Sequence, residues 1–264
     1  EAALGRVVDK RVADHLIARG GTVKPTRREI VVMYCDIRGF TKMSEAMDPD
    51  HLFRFLNDFF DETVPVVGRH GGIVDKFIGD CLMVTFGAFD DVEDQHYHAT
   101  LAAIELRKSV AKFQSKAMEV TGQTLRIGIG IHCGYAAAGG LGDKTRSDLT
   151  VIGDTVNTAS RLEAKTKDYN VDIVASEDMV KALGDRAISA QLERNVLLKG
   201  REAAADLFQI LALITPEGKR ISHRLDIDRK IEDVKHPGTL GPEFICPEDE
   251  NNHELPDAIY SPVA

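Results

Sequence analysis

The sequence has few cysteines and no pairing motif among them. Cys35, Cys81, Cys133 and Cys246 are scattered without a Cys-x-x-Cys pair, and three of them lie in apolar, strand-like runs. We therefore expect buried free thiols in a reducing compartment rather than a disulfide framework. The nine histidines show no metal-binding spacing such as His-Glu-x-x-His, so the sequence offers no zinc site.

Long apolar runs and an excess of positive charge are also missing. No run approaches the roughly 18–20 apolar residues of a membrane-spanning helix, and no secretory signal opens the chain. The formal net charge of −9 argues against non-specific binding to nucleic acid. We expect a cytoplasmic domain without membrane contact from this segment, and a membrane anchor upstream in the parent protein stays open. An acidic chain that binds a polyanion needs local cations or metal ions.

Hydrophobic periodicity divides the 264 residues into three parts. Residues 1–25 hold an amphipathic helix pattern at 4–19, which either packs on its own domain or connects to an upstream regulatory or sensor region missing from this chain. Residues 26–214 alternate between strand and helix patterns. Residues 215–264 hold six of the nine prolines and eleven acidic against six basic side chains, which favours an extended or disordered tail.

The order of elements in the central part predicts an α+β fold. A continuous apolar run at 30–35 is typical of a strand buried on both faces. The later core elements are a helix at 52–67, strands at Ile73–Ile78 and Cys81–Phe86, a helix at 95–117 and a strand at Leu125–Gly134. This βαββαβ order is ferredoxin-like, an antiparallel sheet with helices on one face. A C-terminal α/β extension follows, with strands at Leu149–Ile152, 172–175, 195–199 and 206–212 and helices at 155–165 and 177–183.

Two aspartates lie where predicted strands of this sheet end. Asp36 ends the doubly buried strand, and Asp80 lies in the Gly79-Asp80 turn of a hairpin. If these strands are neighbours, both carboxylates meet at one end of the sheet. Beside Asp36, the turn at residues 39–41 exposes backbone N–H groups suited to phosphate, so the group suits a pair of magnesium ions. Taken singly, each aspartate also has an ordinary role in a turn or a helix cap.

Three blocks of the sequence resemble the signature of a known family. They are DIRGFT at Asp36–Thr41, KFIGD at Lys76–Asp80 and DTVNTASR at Asp154–Arg161. In this order they resemble class III adenylyl and guanylyl cyclase catalytic domains, over about residues 26–212. The resemblance implies synthesis of 3′,5′-cyclic AMP and pyrophosphate from ATP by attack of the ribose 3′-oxygen on the α-phosphate. The general base stays open between Asp36, water and a substrate phosphate.

The resemblance also implies roles for individual residues. Asp36 and Asp80, helped by the Ile37 carbonyl, would hold two divalent cations, Mg²⁺ with Mn²⁺ as a substitute. The phosphates would contact the backbone of Gly39, Phe40 and Thr41 and the side chain of Lys199, although Lys-Gly is also a common strand-turn sequence. Asn157 would orient the ribose, and Arg161 would stabilise charge on the α-phosphate. Their spacing of four places them on one helix face, opposite an apolar stripe of Val156, Ala159 and Leu162.

Two positions imply adenine rather than guanine. Lys76 resembles the lysine that approaches adenine N1, and a lysine cannot accept the hydrogen bonds that guanine offers. Its alternative role is an ion pair with a surface acid. Thr150 stands where many adenylyl cyclases have Asp, which is similar to the class IIIb branch of soluble, bicarbonate-responsive cyclases. A bicarbonate or CO₂ response is therefore a hypothesis from resemblance.

The family forms each site from two subunits, which implies a homodimer. Asp36 and Asp80 of one subunit would face Lys76, Thr150 and the other nucleotide-binding residues of its partner. The rival interpretations are a non-catalytic cyclase-homology domain, which binds nucleotide or dimerises, and a guanylyl cyclase. Assays of turnover with ATP and with GTP separate these hypotheses.

Overall fold

The structure is a computed structural model that describes residues 24–142, 147–198 and 204–248. Within these residues the α-helices are α1 (Phe40–Ala46), α2 (Pro49–Arg69), α3 (Gln95–Thr121), α4 (Asp154–Tyr169), α5 (Glu177–Leu183) and α6 (Leu225–Lys230). The strands are β1 (Thr26–Ile37), β2 (Ile73–Ile78), β3 (Cys81–Phe86), β4 (Ile127–Gly142), β5 (Ser147–Ile152), β6 (Ile173–Ser176), β7 (Ala187–Val196), β8 (Ala205–Ile214), β9 (Arg220–Ser222) and β10 (Gly238–Leu240). The helix predicted at 4–19 lies outside the described residues.

The strands form one sheet in the order β10-β7-β8-β6-β4-β1-β3-β2, with β5 paired to β4 and β9 to β8. Strand β1 pairs antiparallel with both β3 and β4, and β2 forms one edge. The predicted ferredoxin-like βαββαβ core is therefore confirmed in β1 to β4 with α2 and α3. The sheet is mostly antiparallel, and the β4–β6 and β7–β10 pairs are parallel.

Helix α2 shows how local sequence sets the boundaries of a core element. It begins after Asp48, whose side chain accepts a hydrogen bond from Asp50 N at 3.0 Å, and Pro49 occupies its first position. Phe55 and Phe59 then recur at helical spacing and are buried. These two rings pack against the sheet together with α3, so the helix has one apolar face toward the core.

The two faces of β1 are covered by different helices. Val31, Met33 and Cys35 belong to the cluster that contains α2 and α3. Ile30 and Val32 belong to a second cluster on the opposite face, together with residues of α4. The two helices of the predicted ferredoxin-like core, α2 and α3, thus lie on one face of the sheet, and α4 of the C-terminal extension covers the other. The continuous apolar run in β1 already required a cover on both faces, because successive side chains of a strand point to opposite sides.

The segment from 215 to 248 is folded, and the prediction of an extended or disordered tail is wrong for these residues. Strand β9 pairs with β8, and β10 pairs with β7. Ile227, Ile231 and Cys246 are buried against the outer strands of the sheet. The charged composition suggested a tail, but Arg224 and Glu248 of this segment are buried in ion pairs with residues of the core. Residues 249–264 lie outside the described part of the chain.

None of the helices within the described residues combines the length and the apolar character that crossing a bilayer requires.

Candidate active site

The two predicted acidic residues lie next to each other at one end of the sheet. Asp36 is near the end of β1 and Asp80 is in the β2–β3 turn, where its Oδ2 accepts a hydrogen bond from Ile37 N at 3.2 Å. Burial, and then the negative charge of Asp36, together raise the pKa of Asp80 to about 7. A raised pKa means that nearby positive charges do not fully balance the negative charge of this carboxylate. A cation bound by Asp36 and Asp80 would supply the missing positive charge.

A third carboxylate and a lysine on α4 complete this acidic group. Lys167 Nζ lies 2.9 Å from Asp36 Oδ2 and 3.8 Å from Glu163 Oε1. Glu163 is buried, its Oε1 accepts no hydrogen bond, and its pKa is raised to about 7 by burial and then by Asp36. Asp36 and Glu163 thus share one ammonium group, and Asp80 lies beside Asp36. Sequence analysis missed both residues because their contacts span up to 131 positions of the chain.

The acidic group fits divalent cations of the magnesium type. Its oxygen ligands are hard, and the side-chain charge near Asp36 and Asp80 is negative overall. The described residues contain no group of three His, Cys, Asp or Glu side chains at metal-binding spacing. A cation bound by Asp36 and Asp80 therefore needs further oxygens from the backbone, water or a ligand. Mg²⁺ typically takes this arrangement, with one or two carboxylates plus water and phosphate oxygens.

The turn that follows Asp36 leads into α1 without a capping side chain. Gly39 precedes the helix with φ of +73°, a left-handed conformation that glycine adopts without strain. As the N-cap it has no side chain to accept a hydrogen bond from the first N–H groups of α1. Phe40 is half-buried and packs on the core, and Thr41 is exposed. Their predicted role in phosphate binding stays a prediction.

Lys76 and Thr150 lie in direct contact, although 74 positions separate them. Lys76 Nζ donates to Thr150 Oγ1 at 2.8 Å, and Thr150 Oγ1 donates to Asp75 Oδ2 at 3.0 Å. Lys76 Nζ also lies 3.1 Å from Asp75 Oδ2, whose side chain is fully buried. Lys76 thus has an acidic partner, but that partner is a buried neighbour rather than a surface acid. Sequence analysis missed Asp75, although it directly precedes Lys76.

Asn157 and Arg161 lie on α4 as their spacing predicts. Asn157 is exposed and Arg161 partly exposed, while Ala159 and Leu162 on the other side of the helix are fully buried. The Nη1 atom of Arg161 donates no hydrogen bond and lies 3.9 Å from Asp154 Oδ1. The guanidinium therefore keeps donors for an anion.

Large apolar side chains are exposed between and beside these polar groups. Phe77 and Ile78, which lie between Lys76 and Asp80 on the edge strand β2, are 50% and 51% exposed. Ile152, two residues after Thr150, is 54% exposed.

Lys199 lies outside the described residues, so its predicted role stays a prediction. In one chain the structure brings Asp36 to Asp80 and Lys76 to Thr150.

The sequence matches a known family model over most of its length. Residues 22–212 match the model described as the adenylate and guanylate cyclase catalytic domain. The chain is 39% identical over 191 residues to an adenylate cyclase of Anabaena cylindrica, across 70% of this chain and 37% of that protein. It is 33% identical over 190 residues to adenylate cyclase 1 of Rhizobium meliloti, across 71% of this chain and 28% of that protein. The chain spans about a third of the length of these curated relatives.

The fold is similar to that of solved cyclase structures. Against the crystal structure of the guanylyl cyclase Cya2, the TM-score is 0.67 with 28% identity, over 75% of this chain and 99% of that one. Against the adenylyl cyclase CyaB from P. aeruginosa, the TM-score is 0.66 with 30% identity, over 71% of this chain and 95% of that one.

Proposed function

Because the chain belongs to the family of adenylate and guanylate cyclase catalytic domains, we propose that it converts ATP to 3′,5′-cyclic AMP and pyrophosphate. The ribose 3′-oxygen forms a bond to the α-phosphorus, and the bond from that phosphorus to the oxygen bridging to the β-phosphate breaks. The 3′-hydroxyl proton leaves to Asp36, water or a substrate phosphate. The observation that carries this proposal is the contact between Asp36 and Asp80 at the end of the sheet.

The acidic pair is proposed as the metal site. Asp36, Asp80 and the Ile37 carbonyl would hold two divalent cations, Mg²⁺ or Mn²⁺. When bound, these cations neutralise triphosphate charge and favour ionisation of the 3′-hydroxyl. The raised pKa of Asp80 supports this assignment, because a carboxyl group placed beside another one gains from a shared cation.

Phosphate binding is proposed for the turn after β1. The backbone N–H groups of Gly39, Phe40 and Thr41 would donate hydrogen bonds to the β- and γ-phosphates, and Lys199 would add a positive charge there. The uncapped start of α1 supports this role.

Base recognition is proposed for the contact between Lys76 and Thr150. The buried Asp75 carboxylate holds both side chains, which restricts their orientation before a nucleotide binds. Lys76 would donate to adenine N1, and Thr150 would accept from the 6-amino group. Guanine would leave its N1–H and 2-amino donors unpaired at this lysine, so the pair favours ATP over GTP.

Two residues of α4 are proposed to act on the ribose and the α-phosphate. Asn157 would orient the ribose, which places the 3′-oxygen in line with the leaving pyrophosphate. Arg161 would donate from its unoccupied Nη1 to the α-phosphate oxygens, where negative charge develops. Both side chains project from the same exposed face, which supports a joint role.

A homodimer is proposed to form each site from both protomers. Asp36 and Asp80 of one protomer would face Lys76, Thr150, Asn157, Arg161 and Lys199 of its partner. The exposed Phe77 and Ile78 support this arrangement, because large apolar side chains on an edge strand are costly in water and typical of an interface. A two-fold dimer would contain two equal sites.

Mixing two inactive variants tests this proposal. Asp36→Ala and Lys76→Ala should each be nearly inactive. Mixed in equal amounts, they form about half heterodimers, each with one intact site, so the mixture should regain roughly a quarter of wild-type activity per protein. Asp36→Ala mixed with Asp80→Ala is the matched control and should regain none, because both substitutions affect the same half of the site. Equal recovery in both mixtures, or none in either, contradicts the shared site.

Wild-type turnover of GTP equal to that of ATP contradicts the base assignment.

Bicarbonate stimulation and a cytoplasmic location complete the proposal. The first rests on Thr150, which resembles the class IIIb branch, and a flat rate against bicarbonate at fixed pH removes it. The second is supported by the four cysteines, which are all free thiols.

A further inference from the structure

The described part of the segment that follows the family-matched residues 22–212 reaches into the interior of the domain. Its last described residue, Glu248, has a fully buried side chain. The carboxylate lies among three arginines, with Oε1 at 3.1 Å from Arg107 Nη2 and Oε2 at 2.8 Å from Arg126 Nε and 3.6 Å from Arg38 Nε. Removal of one member of such a buried group is costly, because it leaves the remaining charges without their counter-charge.

The backbone of Glu248 is joined to the end of α4. Glu248 N donates to Asn170 O at 2.6 Å, and Asn170 Nδ2 donates to Glu248 O at 2.8 Å. Asn170 directly follows α4, where it adopts a left-handed conformation with φ of +53°. Its Oδ1 accepts from Arg38 Nη1 at 3.3 Å and also from Arg126. Glu248 and Asn170 thus hold the same two arginines.

Arg38 connects this buried group to the acidic pair. It follows Asp36 by two residues and Ile37 by one, and its backbone N–H donates to Arg126 O at 2.8 Å. Its guanidinium Nη2 donates to Thr166 O in the last turn of α4 at 3.2 Å. The chain that leaves Asp36 is therefore fastened to α4 through one side chain.

Charge explains why Glu248 matters for that side chain. Only 11% of the Arg38 side chain is exposed, and among the described residues its ion-pair partner is Glu248, with Oε2 at 3.6 Å from Arg38 Nε. A buried charge is costly without a counter-charge. Without the Glu248 carboxylate, the guanidinium would lose this partner and would no longer be held against Thr166 O and Asn170.

We propose that Glu248 is a positioning residue for the cation-binding turn at Asp36 and Ile37, acting through Arg38. The folded segment 215–248 would then be part of the catalytic unit rather than a tail. This inference rests on the proposed function of the acidic pair. It predicts that loss of Glu248 weakens cation binding at a site to which Glu248 itself contributes no ligand.

Direct measurement of Mn²⁺ binding tests the inference without turnover. Electron paramagnetic resonance would follow Mn²⁺ binding in the presence of 3′-deoxy-ATP, which lacks the attacking hydroxyl. Glu248→Gln should weaken Mn²⁺ binding about 10-fold, the lower end of the effect of outer-shell substitutions at metal sites. Glu248→Asp keeps the negative charge and should restore most of the affinity. The half-saturating Mn²⁺ concentration for activity should shift in parallel, with kcat at saturating Mn²⁺ much less affected.

Two control variants separate positioning from general stability. Glu243→Gln removes an exposed carboxylate from the same segment and should leave both Mn²⁺ affinity and Tm unchanged. Asp226→Asn removes an ion pair with Arg224 within the segment, at 2.8 Å, and should lower Tm without changing Mn²⁺ affinity. If Mn²⁺ affinity follows Tm across Asp226→Asn and Glu248→Gln alike, the segment only stabilises the fold and the inference is wrong.

A second substitution covers the case in which Glu248→Gln does not fold. Arg38→Lys keeps the positive charge and leaves Glu248 paired with Arg107 and Arg126, but it replaces the fixed fork of guanidinium donors to Asn170 and Thr166 O by a single ammonium group. It should weaken Mn²⁺ binding by a similar factor, and wild-type affinity in this variant would overturn the inference. Wild-type protein that binds no Mn²⁺ with 3′-deoxy-ATP would refute the proposed cation site itself, and the inference with it. Normal wild-type binding with an unaffected Glu248→Gln refutes the inference alone.

Discussion

Gly130 allows α4 to lie directly on β4. Its replacement by alanine should displace α4 and with it the proposed site residues Asn157 and Arg161. A β-carbon at Gly130 would lie 2.1 Å from Glu163 N, 2.5 Å from Ala159 O and 2.7 Å from Glu163 Cα. All three atoms belong to the backbone of α4. No side-chain rotation relieves the overlap, so the helix or the strand has to move.

The size of that movement sets the expected loss. The contact to Glu163 N has to lengthen from 2.1 Å to an ordinary 3.4 Å, a shift of about 1.3 Å. Asn157 and Arg161 lie on the same helix, and a displacement of about 1 Å can cost roughly 100-fold in rate. We therefore expect kcat to fall about 100-fold. We expect the free energy of unfolding to fall by about 1–3 kcal/mol, as for other overpacked cores.

Steady-state cyclisation of ATP at saturating Mn²⁺ and urea unfolding would measure the two effects. Gly68→Ala is the matched control, because an added β-carbon there meets nothing within 4 Å and the residue lies inside α2. It should keep wild-type activity and gain about 0.5–1 kcal/mol of stability. A Gly130→Ala protein with wild-type kcat and stability would refute the argument that close packing of α4 positions the site.

Three further predictions concern single side chains. Asp172→Asn should lower the free energy of unfolding by about 3–5 kcal/mol in urea titrations, because it leaves Arg107 and Arg224 buried without their shared carboxylate. Although burial opposes it, the paired cations hold the pKa of Asp172 well below its usual range. The stabilisation of the folded state by the Asp172 carboxylate is therefore complete above about pH 4 and is lost as the pH falls further. The difference in free energy of unfolding between the wild type and Asp172→Asn should then become smaller in acid. A difference that does not change with pH contradicts the ion pairing. Arg161→Ala should lower kcat roughly 100–1,000-fold with little change in KM, and a change in KM alone would contradict its transition-state role. Lys76→Glu should lower the ratio of kcat/KM for ATP over GTP at least about 100-fold, and an unchanged ratio would remove Lys76 from base recognition.

The sequence alone predicted the elements whose signals are local. The apolar run at 30–35, the Gly79-Asp80 hairpin turn and the spacing of Asn157 and Arg161 each depend on neighbouring residues, and each is found in the structure. The order of strands and helices followed from the same periodicities, which reflect the geometry of strand and helix. The predicted strand order also places Asp36 and Asp80 at one end of the sheet, because β3, which follows Asp80, pairs with β1, which carries Asp36.

Other features depend on residues that are far apart in the chain. The contacts of Asp36 with Lys167 and of Thr150 with Asp75 join different elements, and no local pattern indicates them. The composition after residue 214 suggested a tail, because the number of charged residues does not show which of them are paired and buried. Only the packed structure decides that Glu248 lies among arginines, because the free energy of a buried charge depends on its neighbours in space.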